Sequence, residues 1–136
     1  MERQRSILIN KIEAAFSDST LTDGMTLRKC AAIDSRIEES NPELAGISEC
    51  TKWQDIPESD MHLFGTHGVL NHSGEKNAAF YLPPAMIYVL KHYNGDILHP
   101  VADIVNATEF AIESKPPLCD VQAKVASEYI SWLNSI

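Results

Sequence analysis

The run from Phe80 to Tyr93, Phe-Tyr-Leu-Pro-Pro-Ala-Met-Ile-Tyr-Val-Leu-Lys-His-Tyr, offers water almost nothing, and any fold must be arranged around it. No charge occurs from Phe80 to Leu90. Pro83 or Pro84 suits the first turn of a helix, where a missing N–H costs nothing. Asn94-Gly95 then supplies a residue able to take the left-handed stop conformation. Between those limits Ala85 to Leu90 are apolar on every side, so the helix they predict needs cover from most of the chain. The uncharged stretch is far shorter than the roughly 20 residues of a bilayer span. It reads as a buried central helix rather than a membrane segment.

A chain of 136 residues with 44% hydrophobic content is long enough to bury roughly two thirds of its unfolded surface in a single domain. Cys30, Cys50 and Cys119 are odd in number, far apart and without a Cys-x-x-Cys pair, which predicts reduced, mostly buried thiols rather than a zinc or redox centre. Glu2, Arg3 and Arg5 are followed by no apolar run of signal-peptide length, so a cytoplasmic location is expected.

The formal net charge is −8. A phosphate backbone repels such a chain unless a basic patch offsets it, and the eleven Lys and Arg are scattered. Nucleic acid is therefore disfavoured as a partner, and a protein with a basic surface is favoured.

Helical periodicity marks Arg3 to Phe16, where Leu8, Ile12 and Ala15 or Phe16 share a face. Asp18-Ser19-Thr20 and Asp23-Gly24 punctuate a loop, after which Thr26 can cap a second helix from Leu27 to about Arg36 or Glu38. From Asp34 to Asp60 eight acids face two bases, a balance of −6 in 27 residues. Asn41-Pro42, Gly46 and Pro57 interrupt this segment, which reads as a long loop with a helical turn or two, pinned by Trp53 and Ile56. Pro57 to Asp60 opens a short helix with acids in its first turn. Gly68 to Leu70, a polar turn over Asn71 to Asn77, and Ala79 to Leu82 predict a short β-hairpin feeding the central helix, or an irregular loop, since three glycines weaken a strand. Asp103 to Glu113 and Asp120 to Asn134 read as two more helices, the second capped by Asp120. The fold class is mainly α: a single-domain helical bundle around a buried central helix, with at most one short β-hairpin.

Two groups of residues could carry function. His62, His67 and His72, with Asp55, Asp60 and Glu75 nearby, hold residue types able to ligate a metal or move protons near neutral pH. Their spacing of five puts no two on one helical face, and no His-Glu-x-x-His pattern is present. His99 and Asp103 are a weaker pair of the same kind. No Gly-x-Ser-x-Gly elbow, phosphate loop or dinucleotide fingerprint occurs. The acidic segment is the second group. Glu38, Glu39, Glu43, Glu49, Asp55, Glu58 and Asp60 are interleaved with Leu44, Ile47, Trp53 and Ile56; charges of that kind steer a basic partner and apolar residues anchor it. Trp53 fits either that anchor or a core residue that locks the loop.

Ala15-Phe16, Thr26 to Asp34, Trp53-Gln54-Asp55-Ile56-Pro57, Phe80 to Met86 and Asp120 to Leu133, in that order, resemble a family of small uncharacterised bacterial proteins. Its most specific marks here are the Trp-x-Asp-Ile-Pro segment and the aromatic-Tyr-Leu-Pro entry to the core helix. The resemblance spans most of the chain and carries over no catalytic residue. Phe64 to Ala79 departs from it, with glycines and histidines in place of a tight hydrophobic entry.

The expectation that follows is a small acidic cytoplasmic binding protein, an immunity protein that inhibits a cognate bacterial toxin by covering its active site. Toxins that cut nucleic acids present basic clefts. Its partner-facing residues are Glu38, Glu39, Glu43, Glu49, Trp53, Asp55, Glu58 and Asp60, and it uses no cofactor. The alternatives are a metal-assisted hydrolase using His62, His67 and His72, and a structural or regulatory subunit that dimerises through the first helix.

Overall fold

The computed structural model describes residues 2–22, 24–47, 49–66, 68–97 and 101–136. The expectations placed on Asp23, His67 and His99 fall outside those residues. The described chain is mainly helical: α1 (Glu2–Ala15), α2 (Leu27–Ser35), α3 (His62–Thr66), α4 (Val69–His72), α5 (Ala78–His92), α6 (Val101–Glu113) and α7 (Asp120–Asn134). Single 3₁₀ turns occupy Pro42–Leu44, Trp53–Asp55, Glu58–Asp60 and Glu75–Asn77. Among the described residues no helix is long and apolar enough to cross a membrane.

The central helix is present as α5, and Phe80, Tyr81, Leu82, Ala85, Met86, Val89 and Leu90 along it are buried. It packs on α1, α6 and the Trp53–Asp55 turn. Its start differs from the expectation. The helix begins at Ala78, so Pro83 and Pro84 lie in its interior rather than its first turn. Each proline leaves a carbonyl four residues back, that of Ala79 or Phe80, without its usual donor, at about 3 kcal/mol. Six large apolar side chains buried at roughly 1.5–3 kcal/mol each outweigh that cost. Burial of most of its surface, not propensity, keeps α5 helical through the two prolines.

The start of α5 is also held by hydrogen bonds to distant segments. Asn77, 1% exposed, accepts from the backbone N–H and hydroxyl of Thr22, each at 2.8 Å, and donates to the Ser73 carbonyl at 2.8 Å. The Tyr81 hydroxyl donates to the carbonyl of Met25. At the other end, one guanidinium nitrogen of Arg5 donates to the Leu90 carbonyl at 2.6 Å, a cation on a carbonyl of the last helical turns. The same guanidinium lies 4.8 Å from the Trp132 ring, joining α1, α5 and α7.

The β-hairpin is not formed: there is no strand among the described residues. Gly68, at φ +55, precedes α4, and Gly74, at φ +81, precedes the turn that leads into α5. Two left-handed glycines so close together bend the chain between short helices, where a ladder needs extended backbone.

Elsewhere local chemistry is followed closely. The Thr26 hydroxyl accepts from the Lys29 N–H and caps α2. That helix stops where Arg36 takes the left-handed conformation, with the Ile37 N–H returned to the Ala32 carbonyl at 3.0 Å. The cap of α7 is Cys119, not Asp120, and the Gln122 side chain accepts from the Cys119 N–H at 3.2 Å. Asp120 instead is the first residue of the helix, where its charge suits the dipole.

A tight approach joins α3 to α6. A Cβ placed on Gly65 would sit 2.9 Å from the Cβ of Asp103, an atom fixed to the backbone of α6. Gly65→Ala gains up to about 1 kcal/mol of helix propensity but must push two helices apart, at about 1–3 kcal/mol. The expected result in urea unfolding is a net loss of up to about 2 kcal/mol; raised stability would show that α3 moves freely against α6.

Candidate functional site

Trp53 to Asp60 folds as two tight turns, Trp53–Asp55 and Glu58–Asp60, with an extended link. Ile56 takes extended backbone (φ −66, ψ 118), as a residue before proline prefers, and Pro57 (φ −71, ψ 148) launches the second turn. Trp53 is 4% exposed, and its indole N–H donates to the Phe16 carbonyl at 2.8 Å, closing the chain just beyond α1. Gln54 donates to the next carbonyl, that of Ser17, at 3.3 Å. The first turn is thereby fastened just beyond the end of α1 and lies across α5.

A cleft of about 450 Å³ opens where these pieces meet. Its apolar surface comes from Ile56 and Met61 on the turn side and from Pro84, Ile87 and Tyr88 on α5, with Trp53 behind. Glu13, Gln54, Glu58 and Lys91 supply its polar groups. Glu58 lies 3.6 Å from Lys91 and 3.6 Å from His92, and the His92 ring lies 4.5 Å from that of Tyr88. Trp53, Gln54 and Ile56 of the Trp-x-Asp-Ile-Pro segment and Pro84 of the core helix, far apart in sequence, therefore line one concave site.

Of the partner-facing residues named from the sequence, Trp53 and Glu58 line this cleft. Glu38, Glu39, Glu43, Glu49, Asp55 and Glu58 are exposed, whereas Trp53 and Asp60 are buried. The tryptophan thus serves the core. Glu49 pairs with Arg28 at 3.2 Å, and Arg28 also donates to the Ile47 carbonyl at 2.9 Å. Leu44, 4% exposed, packs on Ala31 and Ala32 of α2. The acidic segment is therefore anchored at Leu44, Arg28 and Trp53 while most of its carboxylates face water. Glu13, Gln54, Tyr88 and Lys91 were not singled out by sequence reasoning; the only signal was that Lys91 is the first charge after the apolar run of α5.

The two described histidines of the set, His62 and His72, meet different partners. His62, at the head of α3, donates from Nδ1 to the Ser59 carbonyl at 2.9 Å. His72, at the end of α4, meets the Asp34 carboxylate through Nε2 at 3.0 Å. Among the described residues no three His, Cys, Asp or Glu side chains form a group able to hold a metal ion.

The thiols differ from the expectation of mostly buried cysteines: Cys30 is buried, Cys50 partly so, and Cys119 exposed. Burial pushes the Cys30 thiol up to about 11, against a smaller lowering by Lys29. The Cys50 thiol is raised too, first by burial and then by the carboxylates of Asp55 and Asp60. Neither is an activated nucleophile.

A family model, described as a family of unknown function (DUF6714), matches residues 4–125, and the chain belongs to that family. The match reaches from α1 into α7. No curated protein and no solved structure matches the chain.

Two measurements follow from the thiols. Native protein treated with iodoacetamide is expected to label fastest at Cys119 and slowest at Cys30, with Cys30 reached only on unfolding; early modification of Cys30 by mass spectrometry would contradict its burial. For pH, the unfolded thiol ionises near 9 and the folded one near 11, so the unfolded state loses its proton first. The contribution of Cys30 is present below pH 9 and lost as pH rises to 11. Cys30→Ala is expected to show a shallower fall in stability across that window than the parent protein, and an equal slope would count against the shift.

Proposed function

We propose that this member of the family is an inhibitory binding protein, an immunity protein that covers the basic active-site cleft of a cognate bacterial toxin and acts in the cytoplasm as one helical-bundle domain. The observation that supports this reading most is the mounting of the acidic segment. Glu38, Glu39, Glu43 and Asp55 are exposed on turns whose backbone is fastened by the buried Leu44 and Trp53. Charges on a flexible loop must be ordered when a partner arrives; charges on a pinned one need little ordering, so more of the interaction appears as affinity. A net charge of −8 draws a basic protein inward over a Debye length of about 8–10 Å. The cleft beside the segment supplies the apolar anchor that charge alone lacks.

Co-expression with the product of a neighbouring reading frame tests the proposal, scored by growth rescue and by co-purification over a salt series. The expected result is rescue with a complex whose association slows as salt rises. Combined reversal of Glu38, Glu39, Glu43 and Asp55 to Lys is expected to slow association about tenfold or more at low salt while leaving the unfolding transition in place. Asp60 is left out of that set because it is buried. An unchanged association rate would remove the acidic segment from the binding face; the absence of both toxicity and a complex would overturn the inhibitor reading.

A further inference from the structure

We propose that the cleft between the Trp53–Asp55 turn and α5 is the seat of an arginine side chain presented by a loop of the basic protein partner. This rests on the reading of the chain as a binder of a basic protein, and it names the residue type that anchors the complex.

At about 450 Å³ and open to solvent, the cleft falls in the lower part of the roughly 300–1,000 Å³ range of ligand pockets, with room for one long side chain and the backbone that presents it. Ile56, Pro84 and Ile87 make it apolar where a stem would lie, and the flat Tyr88 ring is part of the same lining. An occupant with an aliphatic stem and a polar head matches that division.

Charge decides the sign of the head. Glu13 on α1 and Glu58 on the second turn are the carboxylates of the lining, and Lys91 is its cation, so an anion would meet a net negative site. Glu13 makes no ion pair among the described residues. Glu58 is approached by Lys91 and His92 only at 3.6 Å, well beyond the roughly 2.7–2.9 Å of a tight charge-assisted hydrogen bond. Both contacts are solvent-exposed and weakly held, so Glu58 can accept a guanidinium in their place. Guanidinium is favoured over ammonium because its plane can stack on Tyr88 while its fork meets a carboxylate with two parallel N–H donors. The cleft stands ready without a partner, since Trp53 is locked to the Phe16 carbonyl at 2.8 Å.

The test titrates full-length, methyl-labelled protein with acetyl-Gly-Arg-Gly-amide, and with the same peptide carrying norleucine or glutamate in place of arginine, followed by NMR. The arginine peptide is expected to shift the methyls of Ile56, Met61 and Ile87 saturably, with norleucine at least about fivefold weaker and glutamate without effect. Glu13→Gln and Glu58→Gln should each weaken the arginine peptide by about three- to tenfold, and Lys91→Ala should strengthen it. Weaker binding in Lys91→Ala, a preference for the glutamate peptide, shifts scattered over the acidic segment rather than the cleft, or no shifts at millimolar peptide would each overturn the proposal. The two readings fail separately. A rescuing complex whose affinity is unchanged by Glu58→Gln sinks the arginine seat and spares the inhibitor, whereas saturable arginine binding without any toxin partner does the reverse.

Discussion

A helix without charge over most of its length must bury most of its surface, and that single constraint organises the molecule. Burial of α5 demands cover from α1, α6 and the Trp53–Asp55 turn, and the cover is what the remainder of the chain supplies. It also explains how a helix can run through two prolines. The hydrogen bonds lost at Ala79 and Phe80 weaken the element in isolation, but no alternative conformation would bury Phe80, Leu82, Met86 and Leu90 as completely. The fastenings at its two ends, Asn77 to Thr22 and Arg5 to Leu90, come from residues far away in sequence. They set where the helix begins and ends more firmly than any cap of its own.

The surface on α5 that remains partly open is the one beside the prolines, and there the acidic segment is laid down. Trp53 links the two roles. Its ring completes the cover of α5 and its N–H satisfies a carbonyl just beyond α1, while the residues on either side of it turn outward to form a cleft and a row of carboxylates. A loop with no such anchor would leave those charges mobile. Shape and charge at this place are thus by-products of covering the core, which leaves the exposed polar groups free to vary.

Much of the fold can be read from the residues because it rests on local rules. Periodicity places α1, α6 and α7 within a residue or two and α2 at its first residue, and Thr26 caps α2 through its own hydroxyl. The acidic stretch does contain helical turns pinned at Trp53. The reading fails where tertiary contacts override local preference. Proline chemistry points to a helix start at Pro83, yet the start is drawn back to Ala78 by Asn77 and by burial. Gly68 and Gly74 suggest a hairpin, and the chain uses their left-handed backbone to turn between short helices instead. The cleft is harder still. It joins Glu13, the stretch around Trp53 to Met61, and Pro84 to Lys91; no spacing rule connects three separate stretches, and only the folded distances do. The family to which the chain belongs has no assigned activity to guide that assembly.

The pairing of α1 with α7 sets an order of events in time. Lys11 meets Glu128 across 117 positions, and Leu8 and Ile12 share a core with Tyr129, Trp132 and Leu133. Closing a loop of that length costs about 4 kcal/mol beyond a constant, and it yields nothing until α7 has been made. During synthesis α5 can cover part of the apolar stripe of α1, but the part that faces α7 waits uncovered until α7 has been made. For a mainly helical protein this is a non-local finish, and the step that seats α7 on α1 is the natural place for its folding barrier.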